Sequence, residues 1–78
     1  MSSLEFETED MRPVSASCDA HFVYVTLADG RQIRAPLWWY PFLATATPEQ
    51  RSKTELQFSG VWWPEIDEGL SVKGLLLG

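Results

Sequence analysis

Apolar and polar residues alternate along the first half of the chain, a pattern that predicts β-strands. The clearest run is residues 22–27, which is rich in β-branched and aromatic side chains. A weaker alternation covers residues 14–18, and another covers residues 31–35. Together they predict a three-stranded antiparallel meander with one apolar face. The residues expected on that face are Val23, Val25, Leu27, Ile33 and Ala35.

The turns of this meander are marked by residue type. Asp29-Gly30 separates the second and third runs, and this dipeptide is typical of a hairpin turn because glycine adopts a positive φ without steric cost. Asp19-Ala20 provides a tight link between the first and second strands.

A cover for the apolar face follows in the sequence. Pro36 and Pro41 stand on either side of an apolar run, residues 37–40. This arrangement predicts a short helical turn and then a short helix with Pro41 in its first turn. A second helix is expected to begin at Thr47, because this residue suits the N-cap and Pro48 the first helical position. Gln50 stands where a capping box requires Glu or Gln.

The C-terminal part predicts a strand pair and a last helical turn. Residues 56–58 and 61–63 are the strands, the second stopped by Pro64. Ser71 caps the final turn, whose leucines dock on the core. The fold class is therefore α+β: a small antiparallel sheet, made of the meander and the strand pair, covered by two or three short helices. Residues 1–12 are expected to form a flexible acidic arm and residues 13–78 a single domain.

Composition narrows the functional classes. The net charge is −5, which argues against nucleic acid as a partner because lysine and arginine supply most non-specific affinity. The single cysteine excludes an internal disulfide. The acidic N-terminus lacks the basic and apolar regions of a signal peptide, and the longest uncharged stretch falls short of the roughly 20 residues that span a bilayer. We expect a cytoplasmic protein without a membrane segment.

The order of these features resembles the bacterial domain-of-unknown-function family 2442 over about residues 14–78. The segments that carry the resemblance are Asp29-Gly30-Arg31, Pro36-Leu37, residues 46–51, residues 63–68 and residues 71–76. The resemblance implies an α+β fold and small stand-alone proteins, often encoded beside another small protein in the manner of toxin–antitoxin pairs. It implies no catalytic residues. The chain departs from the family at Trp62, where relatives often carry His, and at Gly69, where they often carry an acidic residue.

The sequence offers few residues suited to catalysis or metal binding. Cys18 and His21 are the only cysteine and histidine, whereas a zinc site needs three or four ligands. No phosphate loop, nucleophile elbow or cofactor motif is present. Paired carboxylates can divide acid and base roles only inside a cleft, so Glu65, Asp67 and Glu68 are expected to form a solvated turn. The sequence predicts a non-enzymatic protein without a metal or cofactor.

Aromatic residues are the more informative feature. Six of the ten fall in two clusters, residues 38–42 and Trp62-Trp63, and each ring buries on the order of 150–250 Å². A core this small cannot absorb all six. The resemblance implies that Trp39 and Trp63 belong to the family pattern, so we assign these two to the core. We expect Trp38 or Trp62, or both, to be partly exposed. The alternative is that these two rings only lie over neighbouring side chains.

Exposed tryptophan and tyrosine dominate interface hot spots, so the leading hypothesis is a protein-interaction module. It would act as the acidic, antitoxin-like partner of an adjacent-gene protein or as a homodimer. The candidate contact residues are Trp38, Tyr40, Trp62, Glu65, Asp67 and Glu68, with the carboxylates steering a basic partner.

Two further classes stay open. An accessory domain of a transcription regulator would contact nucleic acid through basic residues gathered on one face. Those residues are Arg31, Arg34, Arg51 and Lys53. A small ligand between sheet and helices is the other alternative.

Overall fold

The computed structural model describes residues 11–77 and shows an α+β fold of two three-stranded antiparallel sheets and three short helices. The first sheet contains β1 (Pro13–Cys18), β2 (Phe22–Leu27) and β3 (Gln32–Pro36). The second contains β4 (Glu55–Gln57), β5 (Gly60–Trp63) and β6 (Glu68–Ser71). A 3-10 turn (Leu37–Trp39) leads to the helices α1 (Pro41–Ala44), α2 (Pro48–Ser52) and α3 (Val72–Leu77). The predicted fold class is confirmed.

The first sheet is the predicted meander, in the order β1-β2-β3. The three alternating apolar residues of β2 are fully buried. Gly30 has a φ of 98° in the β2–β3 turn, and Asp29 Oδ1 accepts a hydrogen bond from the Arg31 amide at 3.0 Å. The positive φ explains why glycine suits this position.

The link between β1 and β2 is organised by one carboxylate. Asp19 Oδ1 accepts hydrogen bonds from the amides of His21 and Phe22, both at 2.7 Å, and its Oδ2 accepts one from Tyr24 Oη at 2.6 Å. The Tyr24 hydroxyl, followed by the two amides, lowers the pKa of Asp19 to about 2. The turn is therefore held by an ionised side chain at neutral pH.

The helical cover follows the local signals of the sequence. Thr47 Oγ1 accepts from the Gln50 amide at 3.1 Å, and Gln50 Oε1 accepts from the Thr47 amide at 3.0 Å. This reciprocal pair is the predicted capping box of α2. At the last helix, Ser71 Oγ accepts from the Gly74 amide at 2.9 Å, so the predicted cap of α3 is also confirmed.

The second sheet has one strand more than the predicted pair. In β6, Ser71 pairs with Gly60 and Gly69 with Trp62, antiparallel to β5. Residues 68–71 include a single branched apolar residue and a glycine, so alternation gives no strand signal there. Of the predicted solvated turn, Glu65 and Asp67 precede this strand, and Asp67 adopts a φ of 62°. Glu68, expected in the same turn, is instead the first residue of β6 and pairs with Trp63.

The core is one cluster of buried residues drawn from both sheets and from the helical segments. Leu37, Leu43, Val72 and Leu75 bring the helical segments onto it. Met11 is also buried in this core. The folded part therefore includes residues 11 and 12, which the sequence assigns to the acidic arm; the rest of that arm lies outside the described residues.

Candidate partner-binding surface

Two adjacent tryptophans stand out from the surface at the end of β3. Trp38 is 74% exposed and Trp39 is 44% exposed, and their rings meet edge to face with centroids 6.0 Å apart. The expectation that Trp38 or Trp62 would be exposed is confirmed by Trp38, whereas the assignment of Trp39 to the core is wrong. In a 3-10 turn successive side chains point about 120° apart, and Leu37 takes the inward position.

The exposed pair is connected to the core by a chain of aromatic rings. Trp39 contacts Tyr40 at a centroid distance of 6.5 Å, Tyr40 contacts Phe42 at 6.4 Å, and Phe42 contacts Trp63 at 5.9 Å. Trp63 is fully buried, as predicted, and its Nε1 donates to the Arg51 carbonyl at 3.1 Å. Tyr40 is half-buried, and burial raises the pKa of its hydroxyl. The exposed rings therefore rest on a fixed support.

A groove of about 560 Å³ opens beside Trp38. It lies where β2 begins and β3 ends, because Phe22 and Pro36 are cross-strand partners and both line it. The lining residues are Ala20, His21, Phe22, Pro36, Leu37, Trp38, Ala44 and Arg51. Most of the wall is apolar, and Trp38 belongs to both the exposed pair and the groove.

Arg51 gives the groove wall a positive charge, and Arg34 adds a second close to the lining residue Phe22. Arg51 Nη1 donates to the carbonyls of Leu43 at 3.1 Å and Ala46 at 2.7 Å, which fixes the guanidinium in the groove wall. Arg34 lies 4.6 Å from the centroid of the Phe22 ring, a cation–π arrangement. The sequence analysis names Arg34 only as a candidate nucleic-acid contact and does not place Phe22 in a site. The meander register alone places the two residues as diagonal neighbours, because Arg34 pairs with Tyr24.

Trp62 has a different environment from Trp38. It is half-buried and lies opposite Gly69 on β6. A Cβ at Gly69 would come within 2.9 Å of Trp62 Cε3, so the indole lies over the glycine backbone. The structure thus gives Trp62 the covering role that the sequence left as the alternative.

The three predicted acidic contact residues lie around the β5–β6 turn. Lys53 Nζ is 2.9 Å from Glu65 Oε2 and 3.5 Å from Glu49 Oε2, and its hydrogen bond to Glu65 raises the pKa of Lys53. Asp67 and Glu68 are exposed and enter no ion pair within residues 11–77. None of the three lines the groove.

The four basic residues of the nucleic-acid hypothesis have local partners. Arg31 Nε is 2.9 Å from Asp29 Oδ2 at the far end of the β2–β3 hairpin. Lys53 is paired with carboxylates, and Arg51 holds backbone carbonyls. Of these four residues, Arg31 and Lys53 are neutralised in ion pairs, whereas Arg34 and Arg51 form none within residues 11–77. Two cations are few for a nucleic-acid backbone, so the arrangement does not favour this hypothesis.

Cys18 and His21 do not form a ligand set. Cys18 is half-buried, and burial raises the pKa of its thiol to about 11, which keeps it protonated. Within residues 11–77, no three His, Cys, Asp or Glu side chains are grouped so that they could hold a metal ion. None of the helices in this range has the length and hydropathy required to cross a membrane.

Known proteins resemble this chain over most of its length. A crystal structure of a protein of unknown function from Rhodospirillum rubrum superposes with a TM-score of 0.76 at 28% sequence identity, covering 86% of each chain. No curated protein matches the sequence significantly. Residues 13–78 match the family described as Protein of unknown function (DUF2442). The chain belongs to that family.

Proposed function

We propose that this chain is a non-enzymatic protein-interaction module of the cytoplasm, and that its contact surface is the Trp38–Trp39 pair with the adjoining groove. The observation that carries this proposal is the exposure of two touching indole rings, 74% and 44%, on a supported turn. Exposed apolar patches on a protein surface often mark binding sites, and tryptophan is among the residues that contribute most to interface hot spots.

The support beneath the two rings strengthens the proposal. The ring contacts lead from Trp39 through Tyr40 and Phe42 to the buried Trp63. An aromatic group that is already held in place loses little conformational entropy when a partner covers it. The pair is therefore pre-organised for binding.

The partner can be a different protein or a second copy of the chain. An antitoxin-like role, in which the chain covers a protein encoded beside it, is one form of this proposal. Asp67 and Glu68 are exposed and suit the steering of a basic region of that partner. Glu65 is less suited, since Lys53 neutralises it locally.

The test is capture of partners from the native cell by the tagged full-length chain, followed by mass spectrometry and measurement of affinity with the purified partner. Trp38→Ala is the test variant, and self-association is followed in parallel by sedimentation. Removing a hot-spot tryptophan is expected to weaken binding roughly tenfold or more.

Phe58→Ala is the matched control, because Phe58 is an exposed aromatic residue (54%) in the β4–β5 turn. It is expected to retain full affinity. Equal binding by the wild type and Trp38→Ala, with both chains folded, would contradict the proposal. Salt-dependent binding of the chain to DNA or RNA would favour the transcription-regulator alternative instead.

A further inference from the structure

The groove beside Trp38 differs in charge from the rest of the protein. The chain carries 11 acidic and 6 basic residues, yet within residues 11–77 no Asp or Glu lines the groove, whereas Arg51 does. Arg34 stands over Phe22 at its edge. The local surface is thus cationic on an acidic molecule.

One acidic side chain adjoins the lining residues in the sequence, and it does not cancel this charge. Asp19 lies next to the lining residue Ala20, and its oxygens already accept three hydrogen bonds from the turn that it organises. One carboxylate stands against the two guanidinium groups of Arg34 and Arg51. The groove therefore keeps a net positive charge at neutral pH.

The fixed guanidinium is also available to a ligand. Only Nη1 of Arg51 donates in the hydrogen bonds found within residues 11–77, and a guanidinium offers five N–H donors. Neither Arg34 nor Arg51 is in an ion pair with a side chain of those residues. Arginine is well suited to bind carboxylates through paired hydrogen bonds.

From this geometry we propose that the groove binds an extended acidic segment of the partner protein, in which an apolar side chain lies beside a carboxylate. The apolar side chain packs between Trp38, Phe22 and Leu37, which are part of the groove wall. The carboxylate pairs with Arg34, which lies over Phe22, and Arg51 adds positive charge in the groove wall. This inference rests on the proposed function and gives the partner's chemistry at that surface.

Charge complementarity favours such a segment over the other occupants. A basic segment would place its cations beside the two arginines, and like charges brought together at an interface cost several kcal/mol. Single-stranded nucleic acid could also stack on Trp38, but its affinity comes mainly from several phosphate contacts to lysine and arginine. Of the basic residues only Arg51 lines the groove within residues 11–77, which is enough for a single carboxylate but few for such a backbone.

The experiment uses the full-length isotope-labelled chain and two synthetic peptides. One peptide alternates glutamate with leucine and phenylalanine, and the other has lysine in place of every glutamate. Binding is followed by NMR through the indole N–H of Trp38. The glutamate peptide is expected to shift this signal and the lysine peptide to leave it unchanged.

Arg34→Ser and Arg31→Ser are matched variants, because both arginines are exposed residues of the β2–β3 hairpin but Arg31 lies at its opposite end. Arg34→Ser is expected to weaken the glutamate peptide about fivefold or more, since a charge-assisted hydrogen bond is lost. Arg31→Ser is expected to have no effect. Arg34→Lys should restore part of the affinity.

Three results would overturn the inference: equal binding of the two peptides, binding of neither, or equal effects of Arg34→Ser and Arg31→Ser. Displacement of the glutamate peptide by a single-stranded oligonucleotide that binds more tightly would also overturn it. If Trp38→Ala abolishes partner capture but the glutamate peptide does not bind, only this inference fails. If Trp38→Ala leaves partner capture intact, the proposed function itself fails.

Discussion

The chain contains the dipeptide Trp-Trp twice, and the two copies have opposite environments. In β5, Trp63 is fully buried and Trp62 is half-buried over Gly69. In the turn after β3, Trp38 and Trp39 are both exposed. The same two side chains therefore stabilise the fold in one region and form a surface in the other.

Backbone geometry explains the difference. On a strand, adjacent side chains point to opposite faces, so one of two tryptophans must enter the core and the other must lie outside it. In a 3-10 turn, one residue in three points inward, and Leu37 occupies that position. Hydrophobicity alone does not decide which tryptophan is buried. The direction of each side chain, set by the number of residues per turn or per alternation of the backbone, decides it.

The largest expected effect is at the buried member of the strand pair. Trp63→Ala should lower the free energy of unfolding by about 3–5 kcal/mol, because it removes a fully buried ring. It also leaves the Arg51 carbonyl without the donor that Trp63 Nε1 supplies. Urea denaturation followed by circular dichroism measures the change.

Trp63→Phe provides the comparison, since it keeps an apolar ring but not the indole N–H. It should be less destabilising than Trp63→Ala. A loss below about 1 kcal/mol for Trp63→Ala would show that the ring is not the centre of this core.

A smaller effect is expected where Trp62 covers the neighbouring strand. Gly69→Ala places a Cβ 2.9 Å from Trp62 Cε3 and 2.9 Å from the Val61 carbonyl oxygen. Both neighbours must move, so the variant should lose about 1–3 kcal/mol of stability in the same urea assay.

A double-mutant cycle with Trp62→Ala separates the two contacts. Removing the indole should relieve part of the penalty of Gly69→Ala, and the part that persists belongs to the Val61 carbonyl. Strict additivity of the two substitutions would mean that the glycine is not needed to seat the ring.

The sequence predicts the fold where one local signal acts alone. The capping residues Thr47 and Gln50 and the turn glycine Gly30 are found as predicted, because each needs only its immediate neighbours. The prediction that Trp39 is buried is wrong because its burial depends on tertiary packing. In the structure, Leu37 occupies the inward position of the turn. The sequence does not predict β6, because its own residues show no alternation. Residues 68–71 form a strand because they pair with β5.

The candidate site could also be predicted only in part from the sequence. Exposure of Trp38 could be predicted from the number of aromatic residues and the size of the core. The cationic groove could not, because it is assembled from β2, the end of β3, α1 and α2. The alternative hypothesis places Arg51 on a basic face with three other cations, whereas the structure holds it in the groove wall through the carbonyls of Leu43 and Ala46.

The smallest expected effect on stability is at the exposed member of the turn pair. Trp38→Ala should change the free energy of unfolding by no more than about 0.5 kcal/mol, because a side chain that is 74% exposed has little packing to lose. Urea denaturation of this variant beside Trp63→Ala tests the contrast directly. A loss of 2 kcal/mol or more, about what a core residue costs, would show that Trp38 supports the fold as Trp63 does. Near-neutral stability combined with weakened binding would instead separate the two tryptophan pairs by role: one pair kept for the fold, the other for a partner.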